Sequence, residues 1–110
     1  MVYRFDPAKE SVKPHFKGGE KELRVHMEDD GLNKLLLRAT LVPGASVGLH
    51  THEDSSEIIY ILEGCGTVLY DGETTPVRAG DIHYCPKGHS HSLINTSDGN
   101  LVFFAVVPQQ

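Results

Sequence analysis

The sequence predicts an all-β fold, a sandwich or a barrel. Its apolar and β-branched runs are short, of strand length rather than helix length. Turns rich in glycine, proline or Asp/Asn separate them at intervals of about 8 to 12 residues, the spacing of such folds. No stretch of about ten or more residues shows the 3.6-residue period of an amphipathic helix.

Residues 1–21 are polar and carry Pro7, Pro14 and the pair Gly18-Gly19, which suggests a loose arm with room for one short strand. Glu22 to Met27 alternates, with Leu23, Val25 and Met27 on one side and Glu22, Arg24 and His26 on the other. That is a half-buried strand. Lys34 to Val42 is a nearly continuous apolar strand stopped by Pro43-Gly44. Strands follow over Ser46 to His52 and Glu57 to Leu62, joined by the polar turn Glu53 to Ser56. Thr67 to Tyr70 leads into Asp71-Gly72, a hairpin dipeptide. Thr75 to Val77 contains Pro76 and belongs on a sheet edge. Ile82 to Cys85, His89 to Asn95 and Leu101 to Val107 complete about nine strands. The expected organisation is one domain, with residues 1–33 as an arm and edge strand and residues 34–110 as the barrel.

The chain has 110 residues, too few for two domains, and a formal net charge of −5. An acidic balance without a Lys/Arg cluster argues against nucleic acid or an anionic membrane as the main partner. The N-terminal MVYRFDPAKE lacks a signal-peptide core, and the longest apolar run, Leu101 to Val107, is too short to span a membrane. Cys65 and Cys85 make no disulfide framework and read as two reduced thiols. The expected location is cytoplasmic.

The chemistry concentrates between Gly44 and Asn95. His50 and His52 sit two apart on one strand, so both side chains take the same face. Glu57 lies beyond a turn and starts the adjacent strand. His91 joins them only if the sheet closes over, as it does in a barrel. Three imidazoles and one carboxylate suit one divalent transition metal per chain: Fe, Mn, Ni, Co, Cu or Zn. On a six-coordinate ion, four protein ligands leave two positions for a bidentate oxygen ligand. The ion would act as a Lewis acid or activate water.

These residues also carry a family resemblance. Gly44, His50, His52, Glu57 and Gly64 fall at the spacing of the first cupin motif. Gly80, Pro86, Gly88, His91 and Asn95 match the second at every position. The chain resembles the cupin superfamily. The resemblance implies a double-stranded β-helix, or jelly-roll barrel, with His50, His52, Glu57 and His91 as metal ligands. It implies a homodimer paired through sheet edges and the arm, where Leu23 to Met27 offers an edge. Gly44, Gly64, Gly80 and Gly88 sit where turns ask for positive φ, and Pro86 and Asn95 read as structural.

Other residues are candidates for the pocket. His89, two before His91, is the candidate catalytic proton carrier, against a solvated loop histidine. Tyr60 and Phe103 are strand aromatics that could line the pocket. Arg38 would clamp a carboxylate if it pointed inward, although its alternation with leucines favours an outward position. His83 could orient the site or face solvent, with solvent favoured, and His15 and His26 read as surface residues. Glu53 could be a mobile acid, though a solvated turn residue is favoured, and Cys85 could be a reactive thiol, though a small buried hydrophobe is favoured. The expected apolar walls are Leu37, Ala39, Leu41, Val47, Leu49, Ile59, Ile61 and Leu93. A dry pocket favours a small oxygenated molecule held by the ion. The resemblance implies a metal-dependent enzyme of decarboxylase or dioxygenase type, with a sugar-phosphate isomerase or a non-catalytic binding module as alternatives.

Overall fold

The computed structural model describes residues 1–110. Ten strands run in chain order: β1 Ser11–Pro14, β2 Glu22–Asp29, β3 Asn33–Leu41, β4 Ser46–Thr51, β5 Glu57–Glu63, β6 Cys65–Tyr70, β7 Glu73–Arg78, β8 Ile82–Cys85, β9 Ser90–Ile94 and β10 Leu101–Pro108. Two 3-10 turns, Pro7–Lys9 and Phe16–Gly18, flank β1. The strands form two antiparallel sheets, one in the order β1-β2-β3-β10-β5-β8 and the other β4-β9-β6-β7. This is the two-sheet jelly roll of an all-β protein.

Inward-facing apolar side chains of both sheets form one core. Leu23, Val25, Ala39, Leu41, Ile61, Leu93, Leu101 and Phe103 are each almost wholly buried. Burying one such large side chain contributes about 1.5–3 kcal/mol. The turns obey backbone sterics. Gly44, Gly64, Gly80 and Gly88 all have positive φ. At Gly64 the requirement is double, since φ is +83° and a Cβ there would stand 2.3 Å from the Asn100 carbonyl oxygen. Asn95 is buried, donates to the carbonyls of Leu41 and Gly99, and accepts from the Ser97 amide. Its role is structural.

Two departures from regular pleating decide which side chains face inward. In β3, Phe103 pairs with Ala39 and Ala105 pairs with Leu36, so Leu37 and Arg38 together oppose Phe104. Arg38 takes up the extra residue at φ +44°. This bulge puts Leu36, not Leu37, on the inner face with Ala39 and Leu41. In β4, Val47 pairs with Leu93 and His50 with His91, so Gly48 and Leu49 oppose Ser92 alone. Val47 and His50 therefore share the inner face, and Leu49 is expelled at 61% exposure, contrary to its expected place in the wall.

The arm is more ordered than the sequence suggests. β1 pairs with Glu22 to Val25 of β2, so the expected edge at Leu23 to Met27 is covered over Leu23 to Val25 by the chain's own arm. The Phe16–Gly18 turn lies against β4 at backbone distance: a Cβ on Gly48 would fall 2.0 Å from the Lys17 carbonyl oxygen. His26, expected on the surface, is buried. Its Nδ1 accepts from the Asp6 amide and its Nε2 lies 2.6 Å from Glu28 Oε2. Pro76 is on β7, an edge strand as expected. Both cysteines are free, Cys65 exposed and Cys85 buried. Burial pushes the Cys85 thiol up to about 11, so it is an inert core group. No helix is long and apolar enough to cross a membrane.

Candidate metal centre

Four side chains from three strands and one turn converge inside the barrel. His50 comes from β4, His52 from the residue after it, Glu57 opens β5, and His91 comes from β9. Their ligand atoms all lie within 4.8 Å of one another. His52 Nε2 is 2.9 Å from His91 Nε2 and 3.0 Å from Glu57 Oε1. His50 Nε2 is 3.2 Å from both other imidazole Nε2 atoms. His52, Glu57 and His91 are buried and His50 is half-buried. The β4 bulge makes this possible, because a regular strand through Val47 would turn His50 and His52 away from the core.

The donor set itself indicates a cation. His50 Nδ1 is 2.7 Å from the Gly48 carbonyl oxygen, which only accepts, so the proton is on Nδ1 and Nε2 presents its lone pair. His52 Nδ1 is held by Ser55 Oγ at 2.8 Å, and His91 Nδ1 by His83 Nε2 at 3.0 Å. Each imidazole is thus tied through Nδ1 with Nε2 aimed at one point, as metal-binding histidines are. Two donors about 2.1 Å from a common ion and at right angles stand about 3.0 Å apart, matching these spacings. Burial raises the Glu57 carboxyl, but contacts with His52 and His91 outweigh it and hold the pKa near 2, so the group is ionised. Burial lowers His50, which keeps its imidazole neutral and free to ligate.

His83, favoured by the sequence to face solvent, belongs to the site instead. It faces inward, half-buried, against the ligand His91. Burial first, and then the neighbouring His91, push its pKa down to about 4, so it is neutral and able to accept from His91 Nδ1. The signal was present in β8. Exposed Ile82 and Tyr84 alternate with His83 and Cys85, so a period of two puts His83 inside. Ser55 was missed as well, as one of several small polar residues in a turn.

The cavity beside the cluster measures about 230 Å³. Its walls include Val47, Ile59, Leu93 and Phe103 as expected, with Leu36, Met27, Val107 and the arm's Phe16 in addition. Exposed Lys17, Lys34, Glu53 and Gln109 edge it. Ala39, Leu41 and Ile61 are core residues away from it, and Leu37 is displaced by the β3 bulge.

Three expected pocket residues lie elsewhere. Tyr60 is on the outer face of β5, 40% exposed, because its neighbours Ile59 and Ile61 take the inner positions. Arg38 sits on the outward side of the β3 bulge and bonds Glu63 Oε1 at 2.8 Å. His89 precedes β9 in a turn, so strand alternation with His91 does not reach it. It stacks on Tyr70 and pairs with Asp71 at the surface, outside the cavity. Glu53 borders the cavity, where the sequence favours a solvated turn residue.

Comparison with known proteins agrees with this architecture. The family model described as Cupin domain matches residues 37–107. A Thermotoga maritima protein named oxalate-binding protein is 40% identical over 92 residues, covering 81% of this chain and 76% of that one. The crystal structure of a predicted oxalate decarboxylase from Thermotoga maritima aligns with a TM-score of 0.88 at 33% identity, over 100% of both chains. A sugar phosphate isomerase of the cupin superfamily from Silicibacter pomeroyi shares the fold, with a TM-score of 0.72 at 23% identity over 80% of this chain and 60% of that one.

Proposed function

The chain belongs to the cupin family, and on that premise we propose that it is a metal-dependent enzyme acting on a small carboxylate or related oxygenated molecule, with decarboxylase- or dioxygenase-like chemistry. One observation carries the reading: three imidazole lone pairs and an ionised carboxylate meet at one buried point that opens into a cavity. A divalent transition metal held there would supply Lewis acidity toward substrate oxygens.

The chain's own residues set the conditions for that chemistry. His83, Ser55 and the Gly48 carbonyl fix the imidazoles through Nδ1, so the cluster needs no rearrangement to bind. Apolar walls exclude water once a bound molecule fills the cavity, which strengthens any charge interaction inside it. Glu53 at the edge is the acid or base best placed to exchange a proton with a bound molecule. His89, outside the cavity, is not a candidate for that role.

A second reading is a binding module without turnover. His89's surface position favours it, because the expected proton carrier is gone. The Thermotoga maritima relative's name, oxalate-binding protein, fits it too. Incubating metal-loaded protein with oxalate and other small carboxylates, with and without dioxygen, separates the two. Release of carbon dioxide or consumption of dioxygen supports the enzyme. Tight binding with the acid recovered intact supports the module.

A homodimer is also proposed, through a different surface from the arm. The outer face of the six-stranded sheet exposes Ile58, Tyr60, Leu62, Ile82 and Tyr84 next to the free edge of β8. An apolar patch beside an unpaired edge favours a second copy. Light scattering should give twice the chain mass, and Tyr84→Arg should give a monomer. A monomeric parent protein would refute the pairing.

A further inference from the structure

We infer that the cavity selects a 2-oxo or 2-hydroxy carboxylic acid bearing a branched aliphatic or aryl tail, in preference to a bare dicarboxylate. This rests on the proposed binding of a carboxylate at the His50, His52, Glu57 and His91 cluster. It adds what the rest of the cavity is for.

The two ends of the cavity differ in chemistry. One end is the cluster, where oxygen donors are recognised. The body is walled by Phe16, Leu36, Val47, Ile59, Leu93 and Phe103, from both sheets and the arm. None of these side chains offers a hydrogen bond. The charged groups, Lys17, Lys34 and Glu53, lie at the solvent-exposed edge.

Volume gives the same answer. The cavity's 230 Å³ holds roughly eight waters at about 30 Å³ each, and a two-carbon dicarboxylate displaces only about three of them. The remainder would stay against apolar walls, where water has few partners. An apolar tail on the chelating head removes that water and covers those walls. A polyhydroxylated sugar does not, because its hydroxyls would be buried without partners. A 2-oxo or 2-hydroxy acid combines a two-oxygen head with a tail that leaves from the adjacent carbon. Head and tail then divide between cluster and body. The two edge lysines against one Glu53 leave the entrance net positive, which suits an anionic head.

The arm belongs to this selectivity. Phe16 closes one wall, and the turn carrying it is seated against Gly48 of the ligand strand. Tail recognition and ligand placement thus share β4.

The test is calorimetric titration of manganese-loaded protein with oxalate, pyruvate, 2-oxobutyrate, 4-methyl-2-oxopentanoate and phenylpyruvate. Affinity should rise about fourfold per added methylene. 4-Methyl-2-oxopentanoate should bind roughly thirtyfold or more tighter than pyruvate. Val107→Phe fills the cavity and Phe16→Ala opens its wall, and each should cut that ratio at least about fivefold. Metal content measured on the same samples reports whether each variant is folded. A flat series in which oxalate binds as tightly as any acid overturns the tail and leaves carboxylate binding intact. Failure of every acid, oxalate included, overturns the carboxylate reading itself. A preserved chain-length ratio in both variants, with metal bound, shows that the tail lies elsewhere and also overturns the inference.

Discussion

The two halves of the ligand set are built differently. His50, His52 and Glu57 fall within eight residues of sequence, and their supports are local. His50 is oriented by Gly48 and His52 by Ser55, two and three residues away. His91 arrives alone on β9 and is oriented by His83, from β8 in the other sheet. In one half each histidine is oriented by a neighbour within three residues, while the other half depends on a histidine of the opposite sheet. Local support is legible in a sequence motif. Support across sheets is visible only once the barrel is closed.

Substitutions break this comparison in graded steps, read as metal affinity. His52→Ala removes a ligand that, like His91, contacts all three others, and should lower affinity at least about a hundredfold, since no side chain can replace it. His83→Phe keeps the volume and the apolar contact but strands His91 Nδ1. It should lower affinity about ten- to a hundredfold, the usual cost of losing an orienting partner. Ser55→Ala should cost about tenfold or less, because a turn residue that loses one hydroxyl contact still holds His52 through the backbone bond from its amide to the His89 carbonyl. His89→Ala should change affinity less than about twofold, since its ring lies at the surface with Asp71 and Tyr70. A Ser55→Ala effect larger than that of His83→Phe would reverse the comparison.

The same division explains which parts of the molecule could be read from sequence. The strands were legible because alternation and turn chemistry act over a few residues. Nine expected strands correspond to β2 through β10, with ends moved by one or two residues. The four-residue cluster was legible because ligand chemistry demands specific side chains at specific spacing. Errors concentrate where the period of two is interrupted. The bulge at Arg38 exchanged Leu36 for Leu37, and the bulge at Gly48-Leu49 put Val47 on the ligand face and Leu49 in solvent. An extra residue in one strand leaves no compositional mark, yet it inverts every facing beyond it. Tyr60 is a different case: Ile59 and Ile61 are inner residues as expected, and the period of two that puts them there puts Tyr60 outside. The burial of His26 and the seating of Phe16 on β4 were illegible for a third reason. Both depend on where the arm lands, which is a long-range contact.

Elemental analysis by plasma mass spectrometry decides whether the His50, His52, Glu57 and His91 cluster is a metal site. The sample should be untagged protein purified without chelators, then reconstituted with a divalent transition metal and desalted. About one equivalent of metal per chain is expected in the parent protein, with loss of that equivalent in His52→Ala. A parent protein that retains no ion after reconstitution, or a His52→Ala variant that retains as much as the parent, would overturn the metal site.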